Sequence, residues 1–286
     1  MTGRLVGMAR NPELRFVKGH GTGNDFILIP DYEGTIEITP EQVQALCDRH
    51  FGLGADGVIR VVRTARVPEV ASMAESAEWF MDYRNADGSI SEMCGNGSRV
   101  FARYLDATGL ITDPEVQIAT RGGLRMVRME SDLTITVDMG IPTTPPGTAV
   151  VTVGSRQIPA VGVMIPNPHA VTFVESLDDA GDLRVSPGIA PAAIFHEGAN
   201  VEFVVVRGDR HISMRVFERG VGETLSCGTG ACAAAFAYLR RIDAPSGSEV
   251  QVDVPGGTLV ITETADGHLL LRGPADLVAR GTVLLP

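Results

Sequence analysis

The stretch Met93-Cys94-Gly95-Asn96-Gly97-Ser98-Arg99-Val100-Phe101-Ala102-Arg103-Tyr104 decides how this chain is read, because a second stretch echoes it. That second stretch is Ser226-Cys227-Gly228-Thr229-Gly230-Ala231-Cys232-Ala233-Ala234-Ala235-Phe236-Ala237-Tyr238. In each, a Cys-Gly-x-Gly tetrapeptide leads into a segment of helical pattern. The echo continues downstream. Glu115-Val116-Gln117 is followed by Gly122-Gly123, and Glu249-Val250-Gln251 by Gly256-Gly257 at the same interval. The cysteines stand 133 residues apart and the Glu-Val-Gln segments 134. Register held across cysteine, helix, strand and paired glycine implies two related α/β halves, each presenting one thiol in the same local setting.

Around these motifs, short Val/Ile/Leu runs are bounded by Gly, Pro, Asn and Asp, the pattern of hairpin-rich sheet. Examples are Phe26–Ile29, Val58–Val62, Leu124–Val127, Leu133–Val137, Val161–Ile165, Val201–Val206, Leu259–Thr262 and Leu269–Leu271. Helical patterns are few: Pro40–His50, Ser98–Thr108 and Ala231–Arg240. The expected fold class is α/β (α+β), with two pseudo-symmetric domains, each a curved mixed β-sheet wrapped like a barrel around a central helix. The Pro-rich Ile141–Pro146 is the expected linker.

Composition narrows the function classes. An apolar fraction of 44% fits a well-buried globular core. The 35 acidic and 24 basic residues give net charge −11 with no Lys/Arg run, which argues against nucleic acid or an anionic membrane as partner. No apolar stretch is long enough to span a bilayer, and Met1–Asn11 lacks the hydrophobic region of a secretory leader. The four cysteines, Cys47, Cys94, Cys227 and Cys232, are too scattered for a disulfide framework. They lack C-x-x-C spacing and histidines do not cluster near them, so no metal is expected. A cytoplasmic protein with reduced thiols is the default.

Two thiols in matched settings suit proton transfer on opposite faces of one carbon. A free thiol has a pKa of roughly 8.5, which a helix N-terminus or a nearby cation lowers. The motif glycines let the backbone turn tightly and aim N–H groups at a bound carboxylate, where charge accumulates once the adjacent carbon loses its proton. One cysteine would then be thiolate base and the other thiol acid. Cys47 and Cys232 read instead as small buried hydrophobes. Nine residues before each thiol stands a polar group, Asn85 and Glu218. Asn24 stands just before a strand and Asn167 begins Asn167-Pro168-His169, and each asparagine taken singly is more readily a turn former or strand cap than a ligand contact. His169 alone reads equally as a satisfied surface or core histidine, and Asp56, Asp82 and Asp87 read as structural turn residues.

The set Gly21-Thr22-Gly23-Asn24-Asp25-Phe26, Gly54-Ala55-Asp56-Gly57, Asn85-Ala86-Asp87-Gly88-Ser89, Asn167-Pro168-His169 and Glu218-Arg219-Gly220-Val221-Gly222-Glu223-Thr224, together with the two cysteine motifs, closely resembles diaminopimelate epimerase. The match runs in order from about Phe16 to the C-terminus. The resemblance implies interconversion of LL- and meso-2,6-diaminopimelate, in lysine and peptidoglycan precursor synthesis, with no cofactor and in particular no pyridoxal phosphate. It implies a site between the two domains, 1–139 plus about 274–286 and 140–273, with the last strand returning to the first, and a homodimer. Carried over by motif, Cys94 and Cys227 are the acid/base pair, and His169 and Glu218 tune the thiol pKa values. Gly95, Asn96, Gly228 and Thr229 hold the reacting carboxylate. Asn24 helps orient the substrate, and Glu218 meets an ammonium group. Asn85, Asn167, Asn200 and Arg219 read the distal end, with Arg219 as the planar carboxylate partner.

Gly57 departs from the family, many members of which carry Gln there. The first dozen residues precede the typical start. The nearest rival reading is a proline or hydroxyproline racemase, which has a similar two-cysteine layout but typically His where Asn96 stands. A phenazine-biosynthesis-type isomerase on this fold lacks the cysteine pair. A non-catalytic anion-binding protein would need the helix starts but not two thiols.

Overall fold

Residues 13–285 are described by the computed structural model. The expectation of no secretory leader, drawn from Met1–Asn11, concerns residues outside that range. Most of the short branched runs form strands. β1 (Glu13–Gly21) reverses through Thr22-Gly23 into β2 (Asn24–Pro30), and both turn residues have positive φ, 51° and 82°. Helix α1 (Pro40–Cys47) starts on a capping box between Thr39 and Gln42. It stops three residues short of the expected His50, because the Asp48 carboxylate takes the N–H groups of His50 and Phe51, both at 2.7 Å. β3 (Gly57–Arg63), β4 (Trp79–Asn85), α2 (Gly95–Ala107), β5 (Glu115–Thr120), β6 (Gly123–Met129) and β7 (Ile135–Asp138) follow.

Residues 139–148, which contain the Pro-rich segment, lead to β8 (Ala149–Val153), β9 (Arg156–Met164), β10 (Pro168–Phe173), β11 (Gly188–Ala190) and β12 (Asn200–Gly208). Next come β13 (His211–Glu218), β14 (Gly222–Thr224), α3 (Gly228–Arg241), β15 (Glu249–Val254), β16 (Gly257–Glu263), β17 (Leu269–Gly273) and β18 (Asp276–Leu284).

Strand pairing makes the duplication physical. In the first run β1 is antiparallel to β2, β2 parallel to β3, β3 antiparallel to β4, β4 parallel to β5, and β5–β6–β7 an antiparallel meander. The second run repeats that order of directions through β9, β10, β12, β13, β15, β16 and β17. The helix lies between corresponding strands in both, α2 before β5 and α3 before β15. The equivalent strands β7 and β17 pair antiparallel with each other, so the two sheets join at a seam. The next strand after each seam strand pairs with the first strand of the other run: β8 with β9, and β18 with β1.

Each helix is sunk in its sheet. Val100, Phe101, Ala102 and Leu105 of α2 are fully buried, as are Ala231 to Ala235 of α3. The alanine run lets the sheet approach the α3 backbone closely. Ile135 and Val137 of β7, with Leu269 and Leu271 of β17, carry one apolar core across the seam.

Both long helices begin earlier than the apolar pattern indicates, at Gly95 and Gly228 in place of Ser98 and Ala231. The motif glycines are therefore the first turn, and the cysteines are the N-cap residues.

Candidate active site

The N-cap position fixes both thiols. Helical hydrogen bonding begins with Ser98 N–H donating to Cys94 O at 2.8 Å and Ala231 N–H to Cys227 O at 2.9 Å. The earlier N–H groups of each helix need other acceptors. Each thiol turns back over its own helix and takes the third of them: Gly97 N–H reaches Cys94 Sγ at 3.4 Å and Gly230 N–H reaches Cys227 Sγ at 3.3 Å. That leaves the amides of Gly95, Asn96, Gly228 and Thr229 as first-turn donors at the positive helix ends.

The two helix starts abut. A Cβ built on Gly228 would lie 3.2 Å from Asn96 Oδ1 and 3.5 Å from the Gly95 Cα. The Asn96 amide donates to Asn24 Oδ1 at 3.1 Å and to Ser226 O at 3.0 Å, tying the two runs together beside both thiols. Cys94 Sγ in turn faces Asn24 Oδ1 at 3.8 Å. Asn24 owes its orientation to Asp56, whose Oδ2 accepts from Asn24 Nδ2 at 2.7 Å. On the other side Asn200 Nδ2 faces Cys227 Sγ at 3.7 Å while Asn200 Oδ1 accepts the Arg219 N–H at 2.9 Å. Thr229 Oγ1 lies 3.4 Å from Cys227 Sγ.

The glycine pairs after β5 and β15 hold the cysteine loops. Gly122 N–H donates to Glu92 O at 2.9 Å, and Gly256 N–H donates to Leu225 O at 2.8 Å. Glu92 and Leu225 each stand two residues before their thiol, so the motif echo read in the sequence is one contact made twice.

The family model described as diaminopimelate epimerase matches residues 16–145 and 161–278. A diaminopimelate epimerase of Streptomyces coelicolor is 55% identical over 273 residues, covering 94% of each chain. One from Corynebacterium glutamicum is 43% identical over 279 residues, covering 96% of this chain and 99% of that one. This chain belongs to the diaminopimelate epimerase family. The same fold extends to more distant structures. A PhzF-family phenazine biosynthesis protein of Bacillus anthracis superposes with TM-score 0.69 at 17% identity, covering 96% of this chain and 99% of that one. A hydroxyproline epimerase of Agrobacterium vitis, solved with trans-4-hydroxy-L-proline, gives 0.67 at 15%, covering 96% and 93%. These two share the fold.

Within the family frame, the remaining site residues fall around the thiols unevenly. Glu218 ends β13, its carboxylate accepting from Thr224 Oγ1, and burial raises its pKa above the usual carboxylate value. Asn85 ends β4 opposite Gly57, its amide donating to Ser89 Oγ at 3.0 Å. The Arg219 side chain is 44% exposed and reaches Glu197 O at 2.9 Å. Among the described residues, neither Asn85 nor Arg219 hydrogen-bonds a thiol. His169 is fully buried: Nδ1 lies 2.7 Å from Glu202 Oε1 and Nε2 lies 3.1 Å from Asn167 Oδ1. It faces a carboxylate and an amide, not a sulfur.

Burial and neighbouring charge favour the protonated form of both thiols. Burial pushes Cys94 up to about 11; the Gly97 N–H opposes this and the nearby Glu218 charge adds to it. Burial pushes Cys227 well above its ordinary value, and Glu218 and Glu202 add to that. Cys47 and Cys232 are buried apolar fillers whose pKa values are raised, chiefly by desolvation.

Four residues of the surroundings carry no obvious mark in the sequence. Thr22 Oγ1 and Ser226 Oγ lie 2.7 Å apart, joining the first-run turn to the second cysteine loop. Arg99, fully buried, donates to Thr22 Oγ1 at 3.2 Å and to Pro274 O at 3.2 Å without a carboxylate partner among the described residues. It is a cation one helical turn behind Cys94 and among the groups that lower that thiol's pKa. The fourth is Glu202, wholly buried in β12.

Proposed function

We propose that the chain interconverts LL- and meso-2,6-diaminopimelate by proton exchange at one α-carbon, with Cys94 and Cys227 as the two bases. The observation that carries the reading is the pair of thiols, each the N-cap of a helix, on helix starts that touch. A carboxylate placed between those starts meets the Gly95, Asn96, Gly228 and Thr229 amides. They stabilise the charge that grows on it as the α-proton leaves. A thiol raised to about 11 is seldom ionised near neutral pH. Substrate brings an α-ammonium into the cleft, and a cation beside a thiol favours the thiolate. One thiolate takes the proton from one face and the opposite thiol returns one to the other; reversing the roles runs the reaction backward.

Asn24, held by Asp56, orients the substrate, and Glu218 receives an ammonium. Asn85, Asn167, Asn200 and Arg219 read the distal amino-acid head. The exposed Arg219 guanidinium can swing to a carboxylate, while its backbone stays pinned by Asn200 next to Cys227. Desolvated groups matched to a distal amine and carboxylate reject substrates lacking either.

The division into 1–139 plus about 274–286 and 140–273 belongs to this reading, as do a homodimer and a cytoplasmic setting. Among the described residues no helix is long and apolar enough to cross a membrane. The test is incubation of purified protein with LL-diaminopimelate and no added cofactor, followed by chiral chromatography. The meso isomer should accumulate to equilibrium while proline is untouched. Proline racemisation with inert diaminopimelate would overturn the assignment.

A further inference from the structure

The duplication makes the two thiols counterparts, and it also shows where they are made different. In the first run β2 and β3 pair with Phe26 opposite Gly57; in the second β10 and β12 pair with His169 opposite Asn200. Carried along the strands, Phe26 corresponds to His169 and Ile59 to Glu202. The helix glycines confirm the alignment. A Cβ on Gly97 would touch Ile59 Cδ1 at 3.4 Å and Phe26 Cε1 at 3.6 Å, whereas a Cβ on Gly230 would meet Glu202 Oε1 at 2.8 Å. Beneath Cys94 lies an apolar pair. At the same place beneath Cys227 lies a buried carboxylate bonded to a buried imidazole.

Burying such a pair in an interior carries a desolvation cost that an apolar pair does not. Glu202 Oε1 takes His169 Nδ1 at 2.7 Å, while Glu202 Oε2 is buried without a partner among the described residues. The point a Gly230 Cβ would occupy is also 3.3 Å from Cys227 Sγ, so carboxylate and thiol face each other across the glycine. The other titratable group facing Cys227 is Glu218 from β13, and it faces Cys94 as well. Arg99, behind Cys94, also separates the two sulfurs, and on the Cys227 side the difference is the Glu202–His169 pair.

We propose that Glu202 is a positioning residue that breaks the equivalence of the thiols, favouring the protonated form of Cys227 and leaving Cys94 to ionise first. This rests on the two-thiol reading above and deepens it by ordering the pair. The carboxylate acts on Cys227 through its charge across Gly230, and on His169 by fixing the ring through Nδ1, with Nε2 presented to Asn167. When a thiolate forms, Cys94 is then the first base and Cys227 the first acid.

The test needs no substrate, so its outcome is independent of whether diaminopimelate is the true one. Wild type, Glu202→Gln and Glu202→Asp are alkylated with limiting iodoacetamide from pH 7 to 9, and labelling of the Cys94 and Cys227 peptides is quantified by mass spectrometry. Cys94 serves as the internal reference. Below its midpoint a thiol alkylates in proportion to its thiolate fraction, so one pKa unit is about tenfold in rate. Glu202→Gln should raise the Cys227/Cys94 ratio by about tenfold, while Glu202→Asp, which keeps the charge, should stay near wild type. An unchanged ratio in folded Glu202→Gln overturns the proposal. An equal rise in Glu202→Asp also overturns it, because access rather than charge would then be the cause. The double variant His169→Phe with Glu202→Ile installs the apolar pair of the first run. It should raise the ratio even if Glu202→Gln fails to fold, and an unchanged ratio there counts against the proposal.

Discussion

Gly97 and Gly230 occupy the same position of two related helices, yet alanine should have opposite effects at them. In a helix interior a Gly→Ala change typically gains 0.5–1 kcal/mol, about 1 at most, which is an upper bound for these first-turn positions. At Gly97 the new methyl meets Cys94 Cβ and Ile59 Cδ1 at 3.4 Å and Phe26 Cε1 at 3.6 Å, all ordinary contact distances. Gly97→Ala should therefore be neutral or stabilising by up to about 1 kcal/mol. At Gly230 the methyl would sit 2.8 Å from Glu202 Oε1, on a side chain with no exposed surface and a 2.7 Å bond to His169. Nothing there is a free chain end that can swing away. Overpacking of that kind costs about 1–3 kcal/mol, so after the helical gain Gly230→Ala should be destabilised by roughly 1–2 kcal/mol. The gap between the variants should be about 2 kcal/mol, read from urea midpoints at constant m. Equal stabilities within about 0.5 kcal/mol, the usual scatter of surface changes, would refute the claim that the floors of the two thiol sites differ.

Other consequences are as direct. Asn96→Asp replaces the amide donor between Asn24 Oδ1 and Ser226 O with a carboxylate that cannot donate. It should cost at least about 2 kcal/mol in urea denaturation. Arg99→Met removes a buried cation from behind Cys94, so the acid limb of the kcat/KM pH profile should move to higher pH. His268 has its pKa raised by its hydrogen bond to Asp138, with a ring nitrogen 2.9 Å from each carboxylate oxygen. The stability it contributes is fully present below the ordinary value of 6.5 and is lost as pH rises through the raised one. A thermal midpoint measured from pH 6 to 8 should fall by a small increment that Asp138→Asn abolishes.

Much of this was legible in the sequence because duplication is legible. Cys94 and Cys227, the glycine pairs and the Glu-Val-Gln strands came in register, and a register of that length has few explanations. Helix starts were misplaced by three residues for a physical reason. Cysteine is not among the usual capping residues, so apolar periodicity alone marks the helix only after the glycines. Asp56 read as a turn residue because its partner, Asn24, lies 32 positions away. Glu202 was missed for the converse reason. Within Asn200-Val201-Glu202-Phe203-Val204 it alternates as a strand residue should, and alternation usually means solvent. The available signal was its place between Val201 and Phe203, in a strand that continues as the apolar run Val204-Val205-Val206. Thr22, Ser226 and Arg99 had no such signal; their contacts, such as the one between Thr22 and Ser226, span the two runs of strands.

Two thiols sharing one carbon leave a direct isotopic signature. Wild type, Cys94→Ser and Cys227→Ser can be incubated with LL-diaminopimelate in D2O, and deuterium at the α-carbon followed by NMR together with formation of the meso isomer. Wild type should place one deuterium at the inverted carbon, and each serine variant should lose epimerisation by at least about a hundredfold, the lower bound for removing a positioned acid or base. If either variant kept the wild-type rate of inversion, the pairing of Cys94 with Cys227 would be contradicted.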